Sequence, residues 1–293
     1  MSQDSPLWRW LAAPGVLWLV LFVVVPGYAV LAVAMGEIDT LLQPVPAWNP
    51  FEWNVGFVKE AFSSVVPGGV YWSATRNTLL YVAATVALCF AIGYPVAYYI
   101  ACKAGRTKGL LLALIFLPFW VSYLMRMLAW IGLLSADGYV NEALGWVGLG
   151  GNDWLNGNPF SVIAALTYGY IPYFILPVYA GLDRIDLRLL EAARDLGASR
   201  PWTFLRVTLP LSWPSVLAGI VLIVLPMFGD YYTNDLISGS PNTNMLGNTV
   251  NLLVQGGSQK NLGAAMVLVL MTVLAVGMLY YLYETNRQSR RRA

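Results

Sequence analysis

Residues 207–229 read VTLPLSWPSVLAGIVLIVLPMFG, a run of 23 residues without one charged side chain. An α-helix rises about 1.5 Å per residue, so about 20 apolar residues cross a hydrocarbon core of about 30 Å. This run is therefore long enough to span a bilayer. The whole chain is of the same kind, because 58% of its 293 residues are hydrophobic and only 11% are charged, whereas a soluble domain carries about 25% charge.

Similar runs recur along the chain, and they predict an all-α integral membrane protein with a single transmembrane domain over residues 1–293. The third run, 109–125, is long enough only if its helix continues through Arg126. The first run is too long for the apolar part of a signal peptide, so we expect it to be retained. The six predicted transmembrane helices are 11–35, 77–101, 110–134, 159–182, 208–229 and 261–283.

The basic residues predict the orientation of the helices. Thirteen of the 17 lysines and arginines fall before helix 1, after helix 6, or in the 2–3 and 4–5 connections. All of these segments lie on one side of a membrane that the chain crosses six times. Since Lys and Arg concentrate in cytoplasmic loops, we expect both termini to be cytoplasmic. The net charge of +2 is mainly this topological signal, and we expect no nucleic-acid partner.

Several absences narrow the function. The chain has no histidine, which excludes histidine-based catalysis and histidine metal sites. No lysine follows a glycine, so there is no phosphate-binding loop of the Walker A type. Cys89 and Cys102 would lie about 20 Å apart on one helix, too far for a disulfide. We therefore expect no metal site in the chain.

Two other classes of membrane protein remain to be weighed. An ion-coupled secondary carrier usually keeps a carboxylate at mid-membrane, and none of the six runs contains Asp or Glu. An integral-membrane enzyme would need a cluster of catalytic side chains at one interface, and without histidine only scattered carboxylates are available. Both classes are therefore disfavoured, and the energy for any transport is expected to come from elsewhere.

The loop 183–210, between helices 4 and 5, is predicted to be a helix, a glycine corner and a second short helix. Gly197 stands where a left-handed C-cap would end the first helix, while Ser199 could cap the second and Pro201 suits its first turn. The predicted apolar face of the first helix recurs at three- and four-residue steps. It consists of Leu182, Ile185, Leu189, Ala193 and Leu196.

This loop could lie on the lipid headgroups or dock against a protein. Small residues suit close docking, and the polar face of the first helix alternates in sign from Arg184 to Asp195. An anionic membrane would instead favour net positive charge. The pattern favours a protein partner over the membrane surface.

Seven residues of this loop resemble the EAA motif, EAA-x3-G-x9-I-x-LP, of the membrane subunits of ATP-binding-cassette (ABC) importers. Valine replaces the isoleucine of the motif. The matching residues are Glu191, Ala192, Ala193, Gly197, Val207, Leu209 and Pro210.

The resemblance implies a type I, MetI-like permease in the plasma (inner) membrane of a prokaryote. It also implies a non-enzyme, that is, a subunit with no catalytic residue and no cofactor of its own. It implies that residues 191–197 form a coupling helix seated in a cleft of the ATPase subunit. The implied partners are two ATPase subunits that bind the ATP, a second permease subunit, a substrate-binding protein outside the membrane, and membrane lipid. The long outer segments 37–76 and 230–260 are expected, on this resemblance, to meet the binding protein.

Further strings resemble the first permease subunit of spermidine/putrescine transporters, which implies polyamines as the transported solutes. Relatives that import ferric iron, thiamine, sulfate or opine-like compounds share parts of these strings and remain alternatives. The strings are Arg76-Asn77-Thr78, GYPVAYY at 93–99, Leu117-Pro118-Phe119-Trp120 with Arg126, Ala129-Trp130, and Phe228-Gly229-Asp230.

Two charges mark a candidate pathway. On straight helices starting near Leu110 and Leu211, Arg126 and Asp230 would lie about 24 Å and about 28 Å up the membrane, at a similar depth. They could pair as an outer gate, or Asp230 could meet a substrate amine, or the two side chains could reach the interface separately. Trp120, Tyr123, Tyr231 and Tyr232 are further candidates for contacts with an amine, as are Tyr168, Tyr170 and Tyr173, although interfacial aromatic belts explain most aromatic residues.

Overall fold

The computed structural model describes the backbone of residues 6–292 except 42, 150, 257 and 258, and the side chains within this range except those of 6–12, 187, 280 and 284–292. Arg9 and the C-terminal arginines, which contribute to the predicted orientation, therefore fall outside the described side chains. The chain divides into two compact units, one of residues 1–72 with 249–275 and one of residues 73–248 with 276–293.

Helices account for nearly all of the regular structure. The α-helices are α1 (Pro6–Leu19), α2 (Val25–Ala34), α3 (Gly56–Val65), α4 (Trp72–Leu88), α5 (Tyr94–Cys102), α6 (Lys108–Phe116), α7 (Tyr123–Leu134), α8 (Tyr139–Gly145), α9 (Pro159–Leu182), α10 (Leu187–Asp195), α11 (Arg200–Thr203), α12 (Leu209–Phe228), α13 (Tyr232–Ile237), α14 (Leu246–Gln255) and α15 (Lys260–Arg292). Two short antiparallel strands, β1 (Glu37–Ile38) and β2 (Pro44–Val45), form a hairpin.

Five continuous helical segments of the described chain are long and apolar enough to cross a membrane. They are Ala13–Ala34, Trp72–Cys102, Pro159–Leu182, Arg200–Phe228 and Lys260–Tyr283. Each overlaps one of the predicted helices. A sixth crossing exists if the bent pair Gly105–Trp120 and Tyr123–Gly145 is counted as one span. The helical membrane fold is confirmed.

The third predicted helix, 110–134, is not one continuous helix. Its two halves meet at 88°, because Val121, which is extended, and Ser122 both have non-helical backbone conformations between them. Pro118 lies in a 3₁₀ turn, Leu117–Trp120, immediately before the break. A proline lacks the N–H of a helical hydrogen bond and its ring clashes with the preceding turn, which favours termination here. Arg126 therefore does not lie on a straight extension of α6.

Three of the spans contain a π-helical turn directly ahead of a proline. The turns are Val20–Val24, Cys89–Gly93 and Phe204–Thr208. Pro26, Pro95 and Pro210 each stand two residues after the end of their turn. The wider turn makes room for a ring that cannot fit the regular α-helical ladder, so each helix continues past its proline.

The core of the larger unit surrounds α9, which packs against α5 and α12. Phe174 is fully buried, and it lies between two glycines of neighbouring helices. A Cβ atom built on Gly93 would be 2.9 Å from the Phe174 ring, and one built on Gly219 would be 3.1 Å from it. Small residues at these positions allow the helix backbones to approach closely, as in other membrane bundles.

The smaller unit joins the end of α2 to the hairpin and to the start of α15. The side chain of Asn261 donates hydrogen bonds to the Val33 carbonyl at 2.8 Å and to the Glu37 carbonyl at 3.2 Å. Trp53 donates its indole N–H to the Ala47 carbonyl at 3.1 Å. Part of the segment 37–76, which shows no clear periodicity in the sequence, is therefore ordered by polar contacts.

A buried polar cluster in the larger unit ties together the residues after α12, with Asn248 at its centre. The side chain of Asn248 is 1% exposed. Its amide donates to the Tyr231 carbonyl at 2.9 Å and to Asp235 Oδ1 at 2.6 Å. Its oxygen accepts from the Met245 N–H at 2.9 Å and from the Asn234 amide at 3.3 Å. All four hydrogen-bonding positions of the side chain are thus used.

We expect Asn248→Leu to destabilise the larger unit by about 3 kcal/mol. A buried polar group without a partner costs about 1–3 kcal/mol, and the substitution removes the partner of at least two such groups. The measurement is the midpoint of thermal unfolding of the purified protein in detergent. Asn251→Leu is the matched control, because among the described residues the Asn251 side chain accepts one hydrogen bond, from the Gln255 amide, in an exposed contact. Equal midpoints for the two variants would contradict the importance of the cluster.

Candidate coupling loop and translocation pathway

The loop 183–210 has the predicted helix, corner and second helix. The Asp186 side chain caps α10 by accepting from the Arg188 N–H at 3.0 Å. Gly197 ends the helix with φ +87°, the left-handed conformation that glycine adopts without strain. The Gly197 N–H bonds to the Arg194 carbonyl and the Ala198 N–H to the Ala193 carbonyl, at 2.8 and 3.1 Å. This pair of bonds is a Schellman motif, as expected for a glycine C-cap.

The second helix of the loop begins as predicted, but without the predicted side-chain cap. Ser199 precedes α11 and its hydroxyl makes no capping bond, while Pro201 lies in the first turn. The Ser199 carbonyl instead accepts from the N–H and the hydroxyl of Thr203, at 2.9 and 3.0 Å. Thr203 is buried, so the second helix is held by its own first turn.

The apolar face predicted for α10 is partly wrong. Leu190 is the leucine that is buried, at 6% exposure, whereas Leu189 is 51% exposed and Leu196 is 90% exposed. Leu182 is buried as expected. Leu189 and Leu190 differ by about 100° around the helix, and only contact with the adjacent spans selects between them. Leu196 therefore projects from the loop as a large apolar side chain.

The predicted coupling residues form two groups, one in the middle of this loop and one at its end. Glu191, Ala192 and Gly197 are exposed, and Ala193 is half-buried. Val207 and Leu209 are half-buried, and Leu209 packs against the main core. Pro210, at the second position of α12, is exposed. The first half of the motif is thus presented outward, while the second half leads directly into a membrane span.

An open cavity of about 600 Å³ lies beside the glycine corner. Exposed Trp202 and Leu196 contribute apolar walls to it, and Gly197 leaves its backbone accessible. The lining residues are Ala193, Leu196, Gly197, Ala198, Ser199, Trp202 and Val207. Exposed apolar side chains around a concave surface are typical of a contact site for another protein.

An ion pair connects the start of this loop to α6. The Lys108 ammonium donates to Asp183 Oδ1 at 2.6 Å, with the two side chains 34% and 41% exposed. Exposed pairs of this kind contribute about 0–1 kcal/mol. The contact therefore has little effect on stability, although it places the first residue of the loop beside α6.

Arg126 lies in an aromatic environment. Its side chain is 9% exposed. Its guanidinium carbon is 4.1 Å from the centre of the Phe119 ring, 5.3 Å from that of Tyr123 and 5.9 Å from that of Tyr168. These distances are in the range of cation–π attraction. Among the described residues, its Nε and Nη1 have no hydrogen-bond partner.

Asp230 has partners of its own. Its carboxylate accepts from the Thr233 N–H at 3.0 Å, from the Thr233 hydroxyl at 2.7 Å and from the Tyr170 hydroxyl at 3.1 Å. Arg126 and Asp230 form no ion pair within the described part of the chain. Each of the two charges is instead stabilised by separate neighbours, Arg126 by rings and Asp230 by hydroxyl and amide donors.

The other candidate pathway residues fall into two groups. Tyr123 hydrogen-bonds to the Thr233 hydroxyl and its ring is 6.2 Å from that of Tyr232. Tyr231 contacts Tyr232 at 6.0 Å, so these three rings surround the end of α12. Trp120 is 87% exposed and does not join them. Its exposure suits a contact with lipid or with another subunit better than a contact with a solute among these rings.

A cavity of about 450 Å³ adjoins the Arg126 guanidinium. Its walls are mainly aromatic, and its lining residues are Phe119, Tyr123, Arg126, Gly169, Tyr170, Tyr173, Leu222 and Pro226. Sequence reasoning placed Phe119 in a motif string but did not identify it as a site residue, and it missed Thr233. The available signal for Phe119 was its position seven residues before Arg126, next to Pro118.

An outward glycine corner that leads into a bent apolar span is the arrangement that the resemblance to an ABC importer permease predicts. The family described as "Binding-protein-dependent transport system inner membrane component" matches residues 93–290. The chain belongs to this family. It is therefore a multi-pass inner membrane protein. It is a non-catalytic subunit, because ATP is hydrolysed by a separate ATPase of the importer. A substrate-binding protein is the other partner that the family implies.

Relatives match over nearly the whole chain. The spermidine/putrescine transport system permease protein PotB of Escherichia coli is 31% identical over 269 residues, which cover 90% of this chain and 92% of the relative. PotB of Haemophilus influenzae is 31% identical over 271 residues, covering 92% and 91%. A chain in the crystal structure of a bacterial alginate ABC transporter superposes on this chain with a TM-score of 0.74 and covers 96% of this chain and 94% of that one. The two sequences are 17% identical, so this similarity supports the fold alone.

Proposed function

We propose that the chain is a pore-forming permease subunit of an ATP-driven importer of polyamines, spermidine and putrescine. The observation that carries this proposal is the 31% identity to PotB over 90% of the chain. The cavity supports it, because aromatic walls with the Asp230 carboxylate behind Tyr170 suit an amine. Another small solute, such as ferric iron, thiamine or an opine-like compound, is the alternative.

The proposed mechanism couples the loop 183–210 to the spans. Two ATPase subunits close on ATP and move the segment 191–197, which faces outward from the fold. Because Leu209 and Pro210 begin α12, movement of the loop is passed to a span. A second permease subunit completes the pathway, and the substrate-binding protein delivers the solute on the opposite side. In this mechanism both termini and the loop face the cytoplasm.

Transport by the reconstituted complex tests this function. The chain is assembled in proteoliposomes with its ATPase, second permease subunit and binding protein, and uptake of labelled spermidine and putrescine is measured. We expect uptake that needs ATP and the binding protein and continues when ion gradients are dissipated. Uptake of ferric iron, thiamine or an opine without any polyamine uptake would overturn the substrate assignment, and uptake driven by an ion gradient would overturn the class.

The charges of the pathway give a further prediction. Since Arg126 and Asp230 have separate partners, we expect the double exchange Arg126→Asp with Asp230→Arg not to restore the transport lost in either single exchange. The measurement is polyamine uptake by the four assembled complexes, each checked for normal subunit association. Recovery in the double variant to more than about half of wild-type uptake would show instead that the two charges pair during the transport cycle.

A further inference from the structure

The three rings around Arg126 form what we term the cation cage, consisting of Phe119, Tyr123 and Tyr168. The guanidinium carbon lies 4.1, 5.3 and 5.9 Å from the three ring centres. Aromatic faces attract a cation through their quadrupoles, whether it is a guanidinium or an ammonium group. The cage is therefore selective for positive charge and not for arginine as such.

Arg126 is held in place mainly by its contacts with the three aromatic rings. The side chain is buried, and its Nε and Nη1 find no hydrogen-bond partner among the described residues. A buried donor without an acceptor costs free energy. Arg126 is thus held less firmly than a guanidinium paired with a carboxylate, and another cation can replace it without breaking an ion pair.

The cage opens onto space for a solute. Phe119 and Tyr123 belong both to the cage and to the wall of the cavity of about 450 Å³. Pockets of about 300–1,000 Å³ hold small ligands, so a diamine fits. Tyr170 also lines the wall, and it donates to the Asp230 carboxylate, which is not itself a lining residue. A solute with two ammonium groups therefore finds aromatic faces in this wall, together with a tyrosine oxygen that is bonded to a carboxylate.

The cage also spans the break in the third membrane segment. Phe119 lies in the 3₁₀ turn before the break, and Tyr123 and Arg126 lie in α7 after it. The two halves meet at 88°. A change in this angle alters the distance between Phe119 and Tyr123, so cage geometry and span geometry are linked.

We propose that the cation cage is a binding site for a substrate ammonium group, and that Arg126 occupies it as a tethered competitor. When a substrate ammonium group displaces the Arg126 guanidinium, one cation replaces another, so the cage holds a single positive charge throughout. This inference rests on the proposed function, since it requires a cationic solute. It assigns the site to three named rings and gives Arg126 the role of lowering the affinity for the free amine.

Direct binding tests the competition. The assembled complex in lipid nanodiscs, without the binding protein, is titrated with labelled putrescine. We expect Arg126→Gln to bind putrescine about 3- to 30-fold more tightly, the range that cation–π attraction provides, and Arg126→Lys, which keeps a tethered cation, to bind as wild type does. Adding Phe119→Leu to Arg126→Gln should abolish the gain, whereas adding Phe160→Leu should not, because Phe160 packs with Trp154 away from the cage.

A second measurement uses the wild-type complex and does not depend on a variant that folds. Phenylglyoxal modifies accessible guanidinium groups. Mass spectrometry of the peptide that contains Arg126 measures the extent of modification at this residue separately from the other arginines. We expect putrescine to raise this reaction several-fold and the uncharged analogue 1,4-butanediol to leave it unchanged. Unchanged or weaker binding in Arg126→Gln, or unchanged labelling of Arg126 with putrescine, would overturn the proposal. Polyamine uptake by the wild-type complex would still stand in that case, so failure of the cage is distinguishable from failure of the proposed function.

Discussion

Replacing Gly197 by valine is expected to reduce ATP-driven uptake at least about tenfold while membrane insertion stays normal. Gly197 has φ +87°, and a Cβ atom added to it would meet nothing within 4 Å, so conformation and not space is the constraint. A side chain in the left-handed region costs about 1–2 kcal/mol, and a β-branched residue is especially unsuited to it. The corner then rearranges, and the outward segment 191–197 no longer meets its partner in the same orientation.

Gly148 provides a closely matched control. It has φ +78°, and an added Cβ atom would again meet nothing within 4 Å. It ends α8 with the same pattern of backbone bonds, Gly148 to Gly145 and Leu149 to Leu144. Gly148→Val therefore introduces a similar strain outside the coupling loop, and we expect near-normal uptake.

The measurement for both glycine variants is uptake by reconstituted complexes, together with the amount of ATPase that co-purifies. Normal uptake by Gly197→Val, with normal ATPase association, would contradict the assignment of this loop to coupling. An equal loss in both variants would point to general destabilisation of the chain instead.

Replacing Gly181 by alanine is expected to lower the yield of folded protein strongly, and exchange with its neighbour should restore it. A Cβ atom on Gly181 would lie 1.9 Å from Ser215 Oγ and 2.4 Å from Ser215 Cβ. Contacts this short force α9 and α12 apart, and overpacking of this kind costs about 1–3 kcal/mol. In the double variant Gly181→Ala with Ser215→Gly, the next obstacle is the Ser215 Cα atom at 3.8 Å, an ordinary contact distance.

Thermal unfolding and the monodisperse fraction in detergent measure this effect. Gly132→Ala in α7 is the control, because a Cβ there meets nothing within 4 Å and alanine favours a helix by about 1 kcal/mol over glycine. We expect the midpoint to fall for Gly181→Ala, to recover in the exchanged pair and to stay level or rise for Gly132→Ala. A double variant no more stable than Gly181→Ala would show that the two residues are not the point of closest approach.

Much of the architecture could be predicted from the sequence, because hydropathy reports directly on the partition of each segment between lipid and water. The spans Pro159–Leu182 and Lys260–Tyr283 agree with the predicted 159–182 and 261–283 within one residue. The glycine corner at Gly197 was equally accessible, since its left-handed conformation is a local property of the chain.

Side-chain partners could not be predicted in the same way. Depth along two straight helices suggested that Arg126 and Asp230 share a level, but the break at Val121 and Ser122 turns α7 by 88° and invalidates that estimate. Leu190 is buried and Leu189 is not, although both are apolar and adjacent. Such choices depend on which helix lies beside a residue.

The sequence by itself thus determined the membrane class, the approximate positions of five spans, the glycine corner and the resemblance to importer permeases, since each depends on composition or on local spacing. Only the tertiary structure decided that Arg126 lies beside Tyr168, that Asp230 bonds to Tyr170, and that Gly181 meets Ser215. The physical reason is that these contacts join residues from different helices, and the distance between helices is set by the packing of side chains that are remote in sequence.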